Sequence, residues 1–253
     1  TATTEIYTLS LHDASSDLTS AAVEVSVTGT ADGSGSLADK GAVLLGSESA
    51  LNIRTFSSTG DATLKTSAGI YYIGTGPAAV TSGTLILESG TGGLGTAATP
   101  FRINLHDGAS LPARGTLTIN IQELSGHLPL ETIYSQQGDV KISTVSGSIL
   151  DFLNNDLVNI QAANSITLDA VGGAIGAASN MVDVDAGSQA TDLLTATGPN
   201  GVYLSEADVL RLDRAHATAG DVHLKAVVSI VDAVTDGATH DILGKNINLL
   251  AGS

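Results

Sequence analysis

Carboxylates are the side chains of this 253-residue chain best suited to chemistry. Asp183-Val184-Asp185 sets two of them at i and i+2, on one face of an extended strand. Paired carboxylate oxygens suit Ca²⁺. The matching positions one repeat earlier are Arg102 and Asn104, so no acidic ladder is expected, and a solvated strand face is the reading the residues favour. Three Gly-Asp pairs recur, at Gly60-Asp61, Gly138-Asp139 and Gly220-Asp221. They read as turns, with Gly supplying unusual backbone angles and Asp accepting from nearby N–H groups.

Other chemistries find less. Ala31-Asp32-Gly33-Ser34-Gly35-Ser36-Leu37-Ala38-Asp39 has the composition of a calcium loop. It lacks the alternating Asp/Asn and closing Glu of an EF-hand, and the Gly-Gly-x-Gly-x-Asp phrase of calcium β-rolls, so it reads as an insertion. The histidines at 12, 106, 127, 216, 223 and 240 do not fall at zinc spacing, and there is no Cys to join them. His12-Asp13 and His106-Asp107 repeat, which suggests a turn role. No Gly-x-Ser-x-Gly elbow occurs. Glycoside cleavage needs a facing acid and base. Asn154-Asn155-Asp156 and Asp232 to Asp236 are the stretches where such a pair would be sought. Aromatic platforms for sugars are scarce, with 3% aromatics and no Trp. The chain is therefore expected not to be an enzyme. No catalytic, cofactor-binding or metal residue is assigned, and Ca²⁺ is the one ion the acidic turns suit.

Composition narrows the partners. Twenty-six acids against 10 Lys+Arg give a formal charge of −16, which opposes binding to phosphate backbones or an anionic membrane surface. Without Cys, stability must come from the core and from hydrogen-bond ladders. Hydrophobic residues make up 42% of the chain, so a continuous core of Val, Ile, Leu and Ala is expected. No run approaches a membrane span, and no signal peptide is evident. Both ends read as cuts inside a larger protein.

A long internal repeat organises these residues. The Gly-Asp pairs stand 78 residues apart (60 to 138) and then 82 apart (138 to 220). Leu85, Ile166 and Ile247 lead equivalent strands at offsets of 81 and 81. Leu94 and Ile175 keep the same offset of 81. The weaker echo of His12 at His106 spans 94 residues, so the first module is longer, with the excess in the Gly/Ser-rich stretch from Gly29 to Gly35. The modules are 1–59 (partial), 60–137, 138–219, and 220–253 as the start of a fourth.

Within each module, short segments alternate apolar and polar residues. Val23-Glu24-Val25-Ser26-Val27, Leu117-Thr118-Ile119-Asn120-Ile121, Val158-Asn159-Ile160-Gln161-Ala162 and Ile166-Thr167-Leu168-Asp169-Ala170 are examples. Period two makes each a strand with one wet face. Gly201-Val202-Tyr203-Leu204 and Val209-Leu210-Arg211-Leu212 are expected to be strands as well, although Leu193 to Ala196 and Glu206 to Leu212 could also form a helical turn. The 29 Gly residues argue against long helices. An antiparallel sandwich would use hairpins such as Asp107-Gly108 or Asn200-Gly201. A parallel β-solenoid fits better, with small aliphatics filling a narrow lumen and Gly/Asn/Asp at the corners. At about 20–25 residues per coil it would hold roughly 10–12 coils, each rising ~4.8 Å.

The recurring phrases carry a resemblance. Asn164-Ser165-Ile166-Thr167-Leu168, Gly173-Ala174-Ile175-Gly176, Gly201-Val202-Tyr203-Leu204-Ser205-Glu206 and Ser229-Ile230-Val231-Asp232-Ala233 resemble the repeat regions of giant bacterial surface proteins of the filamentous-haemagglutinin and large-adhesin type. The resemblance spans most of the chain at the level of pattern. It implies an all-β, parallel β-solenoid (right-handed β-helix), an extracellular or cell-surface location, and a role as a structural rod or fibre segment. Expected partners are neighbouring repeats stacked end to end, with surface glycans or cells as further candidates. A calcium-stabilised or glycan-binding repeat is the alternative, and a polysaccharide-active β-helix enzyme the remote one.

Overall fold

The computed structural model describes residues 7–10, 23–27, 43–58, 60–234 and 240–252, with the backbone alone for 7–10, 23–27 and 43. Every described element is a strand, and the named strands all pair in parallel. Apolar residues alternate with polar ones because one face of each strand must be dry. Ile166–Ala170 and Phe101–Leu105, for example, bury every second side chain. Parallel pairing then requires a return path, so the chain winds as a parallel β-solenoid of about nine turns.

Two 12-stranded sheets enclose the core. The first runs through β1 (Tyr7–Ser10), β3 (Val43–Ser47), β5 (Ala62–Thr66), β8 (Leu85–Ser89), β10 (Leu111–Gly115) and β12 (Leu128–Ser135). It continues with β15 (Ile160–Ala162), β17 (Val182–Asp185), β19 (Val202–Glu206), β21 (Val222–Ala226) and β24 (Ile247–Ala251), while β14 (Ile149–Asp151) pairs β12. The second holds β2 (Val23–Val27), β4 (Leu51–Ser58), β7 (Val80–Ser82), β9 (Phe101–Leu105), β11 (Ile119–Glu123) and β13 (Val140–Thr144). It ends with β16 (Ile166–Ala170), β18 (Leu194–Thr197), β20 (Val209–His216) and β22 (Ser229–Asp232), with β6 (Ile70–Tyr72) and β23 (Ile242–Leu243) off the main path.

Turns are less uniform than the expected 20–25 residues. Leu194 pairs Leu212 after 18 residues, whereas Ile166 pairs Leu194 after 28. The first pairing, Tyr7 with Val43, spans 36 residues. The expected strand at Leu117–Ile121 lies two residues later, at Ile119–Glu123, and the one from Val158 begins at Ile160. The Asp32–Asp39 loop, His12-Asp13 and Asp236 lie outside the described residues.

The three eight-residue strands β4, β12 and β20 each pair two shorter strands separated by a loop. They recur at Leu51, Leu128 and Val209, the spacing of the sequence repeat. Yet β4 and β20 belong to the second sheet and β12 to the first. Seven strand positions separate each from the next, which is three and a half turns. Equivalent residues of successive modules therefore face opposite sides of the rod.

Axial columns of side chains form the core. Leu45, Leu64, Leu87, Ala113, Ile133, Ile160 and Val184 stack in register in the first sheet. Phe56, Val80 and Ile103 do so in the second. All are buried. This stack of narrow layers needs few aromatic residues.

Candidate functional site

Each apolar column is interrupted by one glutamate. Val184 pairs Glu206, which pairs Ala226. Ile103 pairs Glu123, which pairs Thr144. Both glutamates close a strand at its inward-facing end. Elsewhere that end carries hydroxyls, such as Ser58, Ser89, Ser135 and Thr144, whose oxygens bond the backbone of the corner that follows, with Ser135 also donating to Leu117 O one coil back. A glutamate there does the same job with more acceptors.

Glu123 shows the job complete. It is 0% exposed. Its Oε2 accepts from Leu105 N–H at 3.1 Å, and Oε1 accepts from Leu124 at 3.1 Å and Ser125 at 3.2 Å. Burial pushes its carboxyl up to about 7, and the Leu105, Ser125 and Leu124 N–H groups hold it from rising further.

Glu206 shows the job unfinished. It is 1% exposed, and Oε1 accepts from Ala186 N–H at 3.3 Å and Ala207 N–H at 3.2 Å. Its Oε2 is buried with no hydrogen-bond partner. Burial pushes this carboxyl up to about 8; the Ala186 N–H opposes the rise, and Asp208 and Asp185 add to it. Carboxylate oxygens of Asp185, Glu206 and Asp208 all lie within 4.8 Å of one another. Two of the three are already held in place. Gln161 Nε2 donates to Asp185 Oδ2 at 2.8 Å, and Val209 N–H donates to Asp208 Oδ1.

Asp185 also ends an outward ladder on the first sheet. Lys65 and Glu88 form an ion pair at 2.7 Å, and Arg114 lies 5.7 Å from the Tyr134 ring centre. Registers place Lys65 beside Glu88, Glu88 beside Arg114, Arg114 beside Tyr134, Tyr134 beside Gln161, and Gln161 beside Asp185.

Asp183 and Asp185 share the outward face of β17, as expected, but have different neighbours. Asp185 joins Glu206 and Asp208. Asp183 lines a cleft of about 210 Å³ with Asn154, Asn155, Asp156 and Lys225. Burial raises the Asp183 carboxyl, with a Ser205 hydrogen bond and Lys225 opposing and Asp151 and Asp156 adding. The comparison with Arg102 and Asn104 does not bear on a ladder, because those residues sit on the other sheet. The axial neighbours that decide it are Gln161 for Asp185 and Ser205 for Asp183.

The remaining sequence candidates make contacts of their own within the solenoid. Asp61 accepts from Thr84 N–H at 2.8 Å, Asp139 from Ser165 N–H at 3.2 Å, and Asp221 from Asn246 N–H at 3.2 Å. These donors are one turn further along, not local as the turn reading expected, so each Gly-Asp pair ties two coils together. His106 and Asp107 sit in a turn closed by Ala109 N–H on His106 O at 3.0 Å. His127 Nδ1 accepts from Ser148 N–H at 3.0 Å, and His223 meets Tyr203 edge to face at 5.3 Å. Asn154-Asn155-Asp156 follows a strand of the first sheet, whereas Asp232 ends one of the second. Asp151, which precedes the Asn154-Asn155-Asp156 stretch, is buried and bonded to Leu153 N–H, Asn155 N–H and the Asn159 amide.

Glu206 and Asp208 were not singled out from the sequence as site residues. A signal was present: in Val202-Tyr203-Leu204-Ser205-Glu206 the acid falls on the apolar phase of the alternation. No family model, curated protein or solved structure matches this chain.

Proposed function

We propose that this chain is a rigid rod segment of a larger extracellular or cell-surface protein, one that spaces and presents other elements. The observation that supports this reading is axial continuity. Two parallel sheets and an apolar column run through successive turns, and each turn is fastened to the next by backbone bonds and by side-chain ties such as Asp61 to Thr84. Such a quasi-one-dimensional body transmits force along its axis and can be lengthened by adding turns. Neighbouring repeats stacked end to end are the partners this reading names.

The surface agrees with the role. Its polarity comes from Ser, Thr, Asn and Gly, and the net charge of −16 keeps like rods apart. Electron microscopy of the full-length native protein should show rods or filaments. A compact particle, with this chain folded against other domains along its length, would sink the reading.

A further inference from the structure

We propose that Asp185, Glu206 and Asp208 form a binding site for one divalent cation of the size of Ca²⁺. The cation would replace the partner that Glu206 Oε2 lacks.

An acidic cluster alone would not carry this. The carrying observation is a buried carboxylate oxygen with no hydrogen-bond partner, set between Val184 and Ala226 in a column that is otherwise apolar. Leaving such an oxygen bare is costly, and the neighbouring carboxylates worsen its position through repulsion. A bound cation removes both costs. The geometry suits one ion: three oxygens at the 4.8 Å limit stand about 2.8 Å from their common centre, so an inward shift of a few tenths of an ångström brings all three to Ca²⁺ bonds of about 2.3–2.6 Å. Ions with shorter bonds, such as Mg²⁺ at about 2.0–2.1 Å, would require the three groups to draw closer still. Half-buried Asp185 and Asp208 leave a side open to solvent for water ligands.

The preceding module provides an internal control. Glu123 occupies the position equivalent to Glu206, with Leu105 matching Ala186 as the donor one turn back. There the two flanking carboxylates are absent: Asn104 stands for Asp185, and Ser125 for Asp208. In that setting both oxygens of the glutamate are satisfied by N–H groups. One module thus uses the buried glutamate as a turn cap. The next adds two acids around it and leaves one of its oxygens bare. The shared scaffold also shows that the chain tolerates Asn and Ser at the flanking positions.

That tolerance sets the test. The full chain, freed of metal with EDTA, is titrated with CaCl₂ by calorimetry, and its melting temperature is followed with and without Ca²⁺. The expected result is one bound Ca²⁺ and a melting temperature that rises with Ca²⁺ concentration. Asp185→Asn/Asp208→Ser rebuilds the surroundings of Glu123. It should fold and lose at least tenfold in Ca²⁺ affinity, with the melting response lost in parallel. If the native chain binds no Ca²⁺ at millimolar concentration, the proposal is overturned. Unchanged Ca²⁺ binding by the double variant overturns it as well. Either failure leaves the rod reading untouched, since that rests on the stacked sheets and is judged by microscopy.

Discussion

Substituting Gly173 by Ala tests how tightly successive turns approach at the corners. A Cβ at Gly173 would stand 2.1 Å from the carbonyl oxygen of Gly147 and 2.3 Å from its carbonyl carbon, both on the preceding turn. Ordinary contact begins near 3.4 Å, so the two turns would have to part by about 1.3 Å. The backbone bonds that hold them are Ile149 N–H to Ala174 O at 2.9 Å and Gly176 N–H to Ile149 O at 2.8 Å. Lengthened by that amount, both leave the hydrogen-bonding range. Two bonds at about 1 kcal/mol each, plus part of the desolvation cost of the freed groups, give a loss of about 2–4 kcal/mol. Two controls separate this steric effect from backbone preference. Gly108 has φ +79° and open space around it, so Gly108→Ala should cost only the left-handed conformation, about 1–2 kcal/mol. Gly46 has open space and ordinary φ, so Gly46→Ala should be neutral or stabilise by up to about 1 kcal/mol. Urea unfolding gives the ranking, and hydrogen exchange at Ile149 and Gly176 locates the damage, since each turn touches only its neighbours. If Gly173→Ala proves no worse than Gly108→Ala, with exchange unchanged at those two amides, the close-approach argument is wrong.

Glu123 predicts a pH dependence. Its folded carboxyl titrates near 7 rather than 4.5, so the native state holds a proton that the unfolded state has lost. This contribution is fully present below pH 4.5 and disappears as pH rises through about 7, a loss of about 3 kcal/mol at 1.36 kcal/mol per unit. Glu123→Gln should flatten that part of the stability profile between pH 5 and 8, and identical profiles for the two proteins would refute the assignment. Ile142 is fully buried in the second sheet, so Ile142→Ala should cost about 2–5 kcal/mol in denaturant unfolding. Leu157→Ala, at a side chain 67% exposed, should stay within about 0.5 kcal/mol, and comparable losses at the two positions would contradict the core described above. On β24, Ile247 and Leu249 are about half exposed, and only β21 is paired to that strand among the described residues. Sedimentation of the 253-residue chain should show concentration-dependent association that Ile247→Lys/Leu249→Lys removes; a native chain that stays monomeric when concentrated would count against end-to-end stacking.

Much of the fold was legible because strand alternation is a local property. Val140-Lys141-Ile142-Ser143 and Ile166-Thr167-Leu168-Asp169 already state which side chains face inward, and the structure buries those. The strand at Val209-Leu210-Arg211-Leu212 is legible from the repeat, since Leu51-Asn52-Ile53 stands at a similar distance before Gly-Asp in the first module, and this segment opens the long strand β20. Gly and Asp at the corners were legible as turn residues. Their bonding partners were not, because Asp139 reaches Ser165 across 26 residues, a distance fixed by how the coil closes. The candidate site was half legible. Asp185 drew attention as one of an i, i+2 pair, yet its true companions lie one turn along, at the end of the neighbouring strand.

The sequence by itself determined that this is a strand-built, repetitive chain with a thin aliphatic core, since composition and period-two alternation depend only on near neighbours. It also determined the length of the repeat. The tertiary structure alone decided what that repeat means in space. An odd number of half-turns per module throws equivalent residues onto opposite sheets, so residues about 80 apart do not stack, while residues 18 to 36 apart do. For the same reason only the structure could set Glu206 between Asp185 and Asp208. Proximity across turns depends on the length of each turn, and a loop inserted in one coil shifts that register without leaving a mark in the alternation of the strands.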